Sequence, residues 1–144
     1  MNDISLQRVL LVENSLDDIL LIQRAFKRHR FAVELKVVYD GVEALEYLRT
    51  AVKEQQTLPI LVIMDLKLPK LDGLEVLYKM RNERAIASLP VVIFTSSNEK
   101  QDIATAYKHG VNSFVRKPVA AEDFIDAIYQ IGKYWIELNQ RSQP

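Results

Sequence analysis

Cysteine is absent from the 144 residues, which excludes a disulfide framework and a thiolate metal site and is compatible with a reducing compartment. A surplus of either charge is missing too. Lys and Arg number 19, as do Asp and Glu, so the chain has no basic excess of the kind that draws proteins to nucleic acid or anionic membranes. Met1 to Gln7 is polar and lacks the apolar core of a signal peptide. No apolar run approaches the roughly 20 residues that a membrane span needs. Repeats, low-complexity tracts and an interdomain linker are missing as well, and the one loose stretch is polar, Lys53 to Thr57. What is present is 49% hydrophobic residues, enough to bury the core of one domain over 1–144. The expectation is a cytoplasmic soluble protein whose partner is another protein, not nucleic acid or a membrane.

Four short, β-branched apolar runs are bounded by turn signals: Arg8 to Glu13, Glu34 to Val38, Ile60 to Asp65 and Val91 to Thr95, with a weaker fifth at Ser113 to Arg116. Three are apolar on both faces, as strands covered by helices on each side must be. Helical spacing fills the gaps. Ser15 to His29 places Ile19, Ile22, Ala25 and Phe26 on one side, and Ser15 with Asp18 makes a capping-box-like start. The next helices follow Asp40-Gly41 and Asp72-Gly73, a fourth covers Ile103 to His109, and a fifth runs from about Ala121 towards Asn139. Five alternations of strand and helix predict a right-handed, doubly wound α/β fold with a parallel sheet.

In such a sheet the functional crevice lies beyond the carboxyl ends of the strands. Strand one ends in Glu13-Asn14, strand three in Asp65, strand four in Thr95-Ser96-Ser97 and strand five in Lys117-Pro118. Each has a bland reading alone. An acidic residue at a strand end is usually a turn or cap residue, Thr95 a β-branched strand residue, Lys117 surface charge and Pro118 a helix starter. Together they are complementary groups on one rim, and that is improbable as accident.

On the strength of LLVE at Leu10 to Glu13, MDLKLPKLDG at Met64 to Gly73, FTSS at Phe94 to Ser97 and FVRKP at Phe114 to Pro118, the chain resembles the response-regulator receiver domains from Arg8 to about Ile131. The resemblance implies a flavodoxin-like (βα)5 fold with strand order 2-1-3-4-5. It implies a stand-alone response regulator, not an enzyme in its own right, whose Asp65 takes a phosphoryl group from the phosphohistidine of a sensor histidine kinase. Mg²⁺ would be held by Glu13, Asp65 and the main-chain carbonyl of Lys67, an oxygen-only set that suits this cation. Lys117 would pair with a phosphoryl oxygen, Thr95 would hydrogen-bond another after transfer, and Phe114 would follow that hydroxyl inward. Phosphorylation adds a charge of about −1.5 to −2 for Thr95 to sense.

One position departs from the pattern. Receivers usually place a second acid where this chain has Asn14, whose amide oxygen can ligate Mg²⁺ but brings no charge, so weakened metal binding is expected. Asn14 also suits a plain helix cap. The alternative is a pseudo-receiver, an interaction module with impaired phosphorylation. Two other classes fit less well. A flavin or nucleotide carrier wants small residues in the first strand-helix turn, but Glu13 to Asp18 has no glycine and is acidic. An aspartyl-nucleophile hydrolase wants its nucleophile on strand one. A DNA-binding regulator is not the expectation either, since 144 residues filled by one receiver leave no room for an added helix-turn-helix.

The last helix looks too long for its sheet. A helix from Ala121 to Asn139 would reach about 28 Å against about 17 Å for a five-residue strand, leaving an overhang of about 10 Å over 132–144. Phe124, Ile128, Ile131 and Trp135 form a core stripe, with a second apolar line at Ile125, Tyr129 and Ile136. A helix apolar on more than one face is either wholly buried or shared with a partner. This end and the segment from Ala106 to Phe114 resemble single-domain regulators associated with cyanobacterial phytochromes. That resemblance implies a phytochrome-type kinase and a homodimer with Tyr129, Trp135 and Ile136 on its face.

Overall fold

The computed structural model describes residues 6–142, so the outermost parts of the expected domain, 1–5 and 143–144, lie outside the described residues. The elements are β1 (Gln7–Val12), α1 (Leu16–Arg28), β2 (Val33–Val38), α2 (Gly41–Lys53), β3 (Leu61–Met64), α3 (Gly73–Arg81), β4 (Val91–Thr95), α4 (Lys100–Lys108), β5 (Ser113–Arg116) and α5 (Ala121–Gly132). Every strand pair is parallel and the order is β2-β1-β3-β4-β5, the flavodoxin-like topology expected from the sequence. The three runs that are apolar on both faces become the three central strands. The outer strand β2 instead exposes Glu34 and Lys36.

Alternation along each strand sorts the core into two layers. Leu10, Val12, Val62, Met64, Val91 and Ile93 pack against α2, α3 and α4. Val9, Leu11, Leu61, Ile63, Val92 and Phe94 pack against α1 and α5.

Three helix starts are fixed by side-chain caps, each accepting from a main-chain N–H three residues on. Ser15 Oγ accepts from Asp18 at 3.3 Å, Asp40 Oδ1 from Glu43 at 2.7 Å and Asp72 Oδ1 from Glu75 at 3.0 Å. The glycines after the last two caps are spaces for the chain. A Cβ at Gly41 would lie 1.9 Å from the Leu71 carbonyl oxygen, and one at Gly73 would lie 2.3 Å from that of Asp65.

Two boundaries differ from expectation by more than one residue. α4 begins at Lys100, three residues before Ile103. α5 ends at Gly132, and Lys133–Leu138 continues as a π-helix in which the Asn139 N–H donates to the Tyr134 carbonyl at 2.6 Å. A six-residue π segment leaves no periodicity mark of its own, so the sequence read as one regular helix to Asn139. The change comes where a Cβ at position 132 would lie 2.4 Å from the Phe31 ring, which presses the bare backbone of Gly132 onto α1's exit.

Candidate functional site

Main-chain bonds bring the strand ends together on one rim. Glu13 N–H donates to the Val38 carbonyl at 3.1 Å, Asp65 N–H to Val12 at 3.1 Å and Lys117 N–H to Thr95 at 2.6 Å. The three side chains named for chemistry thus start from adjacent, rigid positions.

They meet at Lys117 Nζ. It donates to Glu13 Oε1 at 2.7 Å, Asp18 Oδ2 at 2.7 Å and Asp65 Oδ2 at 2.9 Å, which uses all three donors of the ammonium. The Lys117 side chain is 5% exposed and that of Glu13 2%, while Asp65 and Asp18 keep 12% and 25%. Burial works against the charge of Lys117, but its bonds to Asp18 and Glu13 and the fields of Asp65 and Glu13 prevail and hold its pKa above the ordinary lysine range. Glu13 is pushed the other way from most paired carboxylates. Its burial, aided by the charge of Asp65, outweighs the Lys117 bond and raises its pKa. Its second oxygen accepts from the N–H groups of Asn14 and Ser15, both at 3.1 Å. Three carboxylates against one ammonium leave a net charge of about −2 when all are ionised, an electrostatic invitation to a cation.

On its other side Asp65 borders a cavity of about 340 Å³ shared with Lys67, Thr95 and the loop from Ser96 to Glu99. Asp65 Oδ1 accepts from the Leu66 N–H at 2.7 Å. Thr95 is 2% exposed and its Oγ1 accepts only a long contact, 3.4 Å, from the Ser97 N–H. Phe114, opposite Ile93 in the β4–β5 register and on the same face as Thr95 by alternation, is half-buried against the α2–α4 side of the core. Lys67 and Asn14 are exposed.

The donors proposed for a metal are all oxygens, which suits Mg²⁺. Among the described residues no three His, Cys, Asp or Glu side chains stand as a ready cage, because Lys117 occupies the centre of the carboxylates. A cation would therefore draw on Glu13 and Asp65 together with the Asn14 amide and the Lys67 carbonyl.

Asp18 is the residue that sequence reasoning missed, having assigned it to the helix cap. Its main-chain N–H does make the cap bond, while its carboxylate goes to Lys117. A signal was available: side chains on a helix tilt towards its N-terminus, so a carboxylate in the first turn of α1 leans back over the end of β1.

The face expected for a partner is mostly folded onto the domain itself. Tyr129 stacks on His29, with ring centroids 4.1 Å apart, and on Phe31 at 6.3 Å. Trp135 and Ile136 are half-buried against the α1–α5 layer. Tyr134 and Leu138 remain exposed at 49% and 57%.

Residues 9–129 match the response regulator receiver domain family. The chain is a response-regulator receiver. Among curated relatives, the probable methanogenesis regulatory protein FilR2 of Methanothrix harundinacea is 38% identical over 136 residues, covering 94% of this receiver and 88% of FilR2. Response regulator Rcp1 of Synechocystis is 32% identical over 130 residues, covering 90% and 88%. Its Mn²⁺-bound form superposes with a TM-score of 0.88 at 30% identity, covering 95% of this chain and 99% of that one. The phosphorylated cyanobacterial phytochrome response regulator RcpA gives the same TM-score at 31% identity, covering 94% and 98%. The receiver's rim thus carries its acid, hydroxyl and lysine at the strand ends that the family reading named. No helix among the described residues is long and apolar enough to cross a membrane.

Proposed function

We propose that this receiver is a stand-alone regulator that takes a phosphoryl group onto Asp65 from the phosphohistidine of a sensor histidine kinase. The observation that carries the reading is Lys117 Nζ at 2.9 Å from Asp65 Oδ2, beside a cavity bordered by both Asp65 and Thr95. In the transfer a carboxylate oxygen of Asp65 bonds to phosphorus as the P–N bond of the donor breaks, and the imidazole leaves with the electron pair and takes up a proton. Lys117 then meets negative charge on the phosphoryl oxygens. The Thr95 hydroxyl, held by one long contact, is free to turn towards another. Mg²⁺, when bound by Glu13, Asp65, the Asn14 amide and the Lys67 carbonyl, supplies further positive charge for those oxygens.

The size match supports a stand-alone regulator, since relatives of nearly this length are covered to 88% and 98%. Output then runs through protein contacts in the cytoplasm. A phytochrome-type kinase is the donor to test first, because RcpA is a cyanobacterial phytochrome response regulator and is similar along 94% of this chain. For self-association the exposed Tyr134 and Leu138 supply the apolar surface, with Trp135 and Ile136 beside them. Tyr129 contributes less, being stacked on His29.

Intact-mass measurement after incubation with a small acyl phosphate and Mg²⁺ tests the central step. One phosphoryl adduct is expected, absent in Asp65→Asn. No adduct in the wild type would favour the pseudo-receiver reading, for which the neutral, exposed Asn14 is the specific support. Sedimentation tests the homodimer: Tyr134→Glu with Leu138→Glu should give monomers, and a monomeric wild type would remove the claim.

A further inference from the structure

We propose that Asp18 is a positioning residue of the phosphoacceptor site, one that holds the Lys117 ammonium in place while Asp65 reacts. This rests on the reading of Asp65 as the acceptor. Among the three acceptors of Lys117, the bonds to Glu13 and Asp18 are both 2.7 Å and that to Asp65 is 2.9 Å. The two shorter bonds fix Nζ from β1 and from the first turn of α1, and neither partner is the nucleophile. When a carboxylate oxygen of Asp65 becomes bonded to phosphorus it loses its charge and its value as a partner, and the third N–H of Lys117 is released to a phosphoryl oxygen. The other two N–H groups keep their acceptors throughout, so the ammonium need not travel.

Without the Asp18 carboxylate, Lys117 would divide itself between Glu13 and Asp65 alone. Glu13 spends its other oxygen on the Asn14 and Ser15 N–H groups, which leaves Oε1 alone to face Lys117. The spare donor would tighten on Asp65, tying up the nucleophile's charge before any donor binds. Asn14 is no substitute. It is exposed and neutral, whereas Asp18 reaches Lys117 directly. Asp18 serves the helix only through its main-chain N–H, which Ser15 caps, and Asp17 stays in the same turn for the helix dipole. Loss of the side chain is therefore separable from loss of the fold.

The test compares wild type, Asp18→Asn, Asp18→Glu, and Asp18→Asn combined with Asn14→Asp. Phosphorylation of Asp65 by acetyl phosphate at saturating Mg²⁺ is followed against donor concentration. The maximal rate in Asp18→Asn should fall by at least about tenfold, the scale expected when a catalytic group loses its orientation, with the half-saturating donor concentration little changed. Asp18→Glu, which keeps a carboxylate, should recover most of the rate. Asn14→Asp should not rescue Asp18→Asn, because charge at 14 does not hold Lys117. A second readout needs no phosphorylation. The ¹⁵N signal of the Lys117 ammonium, slow to exchange in the wild type because all three N–H groups are bonded, should broaden or vanish in Asp18→Asn. Unchanged rate and signal in Asp18→Asn, or full rescue by Asn14→Asp, would overturn the proposal. Failure of Asp65 itself to form an adduct in wild type would sink the acceptor reading instead.

Discussion

Replacing Lys117 by Ala removes the cation that three carboxylates share, and the size and pH dependence of the result follow from their burial. Truncating one partner of a buried ion pair typically costs about 3–5 kcal/mol, because a charge is left without compensation. Here the chain has an escape. Glu13, almost wholly buried and already held above the ordinary carboxylate range, can take up a proton. An unfolded Glu titrates near 4.3, so neutralising it at pH 7 costs about 3.5–4 kcal/mol at roughly 1.4 kcal/mol per pH unit, but only about 1 kcal/mol at pH 5. That cost caps the electrostatic loss at each pH. A folded pKa raised above the unfolded one means that the folded state holds more protons, so stability falls as pH rises through that window. The variant should therefore be destabilised by about 3–4 kcal/mol at pH 7, and by about 2–3 kcal/mol less at pH 5. The lost packing of the lysine stem adds a part that does not change with pH. Urea unfolding followed by circular dichroism at both pH values measures it. An equal loss at pH 5 and pH 7 would show that the ammonium does not compensate Glu13, and with it the electrostatic account of the site would fall.

Other expectations follow from single contacts. Gly73→Ala would drive a Cβ to 2.3 Å from the Asp65 carbonyl oxygen and should cost at least about 2 kcal/mol, with acceptor activity lost in proportion as the loop is displaced; an Ala variant of wild-type stability would contradict the packing described. Arg81 donates to the carbonyls of Gly110, Ala87 and Leu89 and to Asn112 Oδ1 at 2.9–3.1 Å, so Arg81→Met should lower stability by about 2–4 kcal/mol in urea titration, and a loss under about 1 kcal/mol would mean that water replaces those bonds. Thr95→Ala gives up one 3.4 Å contact and should cost less than about 1 kcal/mol. On the proposed reading it should still accept phosphate on Asp65, yet lack the change in α4 hydrogen exchange expected of the phosphorylated wild type.

The sheet was legible because burial on both faces leaves a plain mark. The runs ending at Thr95 and Arg116 match β4 and β5 residue for residue, and the three doubly apolar runs lie at the centre of the sheet. Glu13, Asp65, Thr95 and Lys117 were legible for the same reason, since a parallel sheet sends its strand ends to one rim. Asp18 was not, because its cap bond and its bond to Lys117 use different atoms of one residue and the sequence offers a single letter for both. The π segment escaped because six residues are too few to shift the apolar spacing by which a helix is read. Tyr129 reads as surface for a partner, and its stacking on His29 was not legible beside that. Periodicity says which face is apolar and says nothing of what covers it.

The same contrast explains where a new charge at Asp65 can act. The acceptor's carbon backbone cannot yield: β3 is buried along its whole length, its neighbour β1 is held by Glu13 and Val12, and the Asp65 carbonyl sits against Gly73. The β4 end is different. Thr95 leads into a loop whose Ser97 Oγ donates to Asp102 Oδ2 at 2.6 Å and accepts from the Glu99 N–H at 3.3 Å, so a turn of Thr95 towards the phosphoryl group pulls on the first turn of α4. That helix buries only Ala106 and has no side-chain bond at its N-cap Glu99, whereas α1 and α2 bury four and five residues and are capped by Ser15 and Asp40. With less apolar area holding it down, α4 is the helix that can be displaced at least cost. Phe114, half-buried against the same core layer, has room to move with it. On the proposed reading, a charge placed on Asp65 would act at α4, which buries little and lacks a side-chain cap, while the buried sheet that carries Asp65 would stay in place.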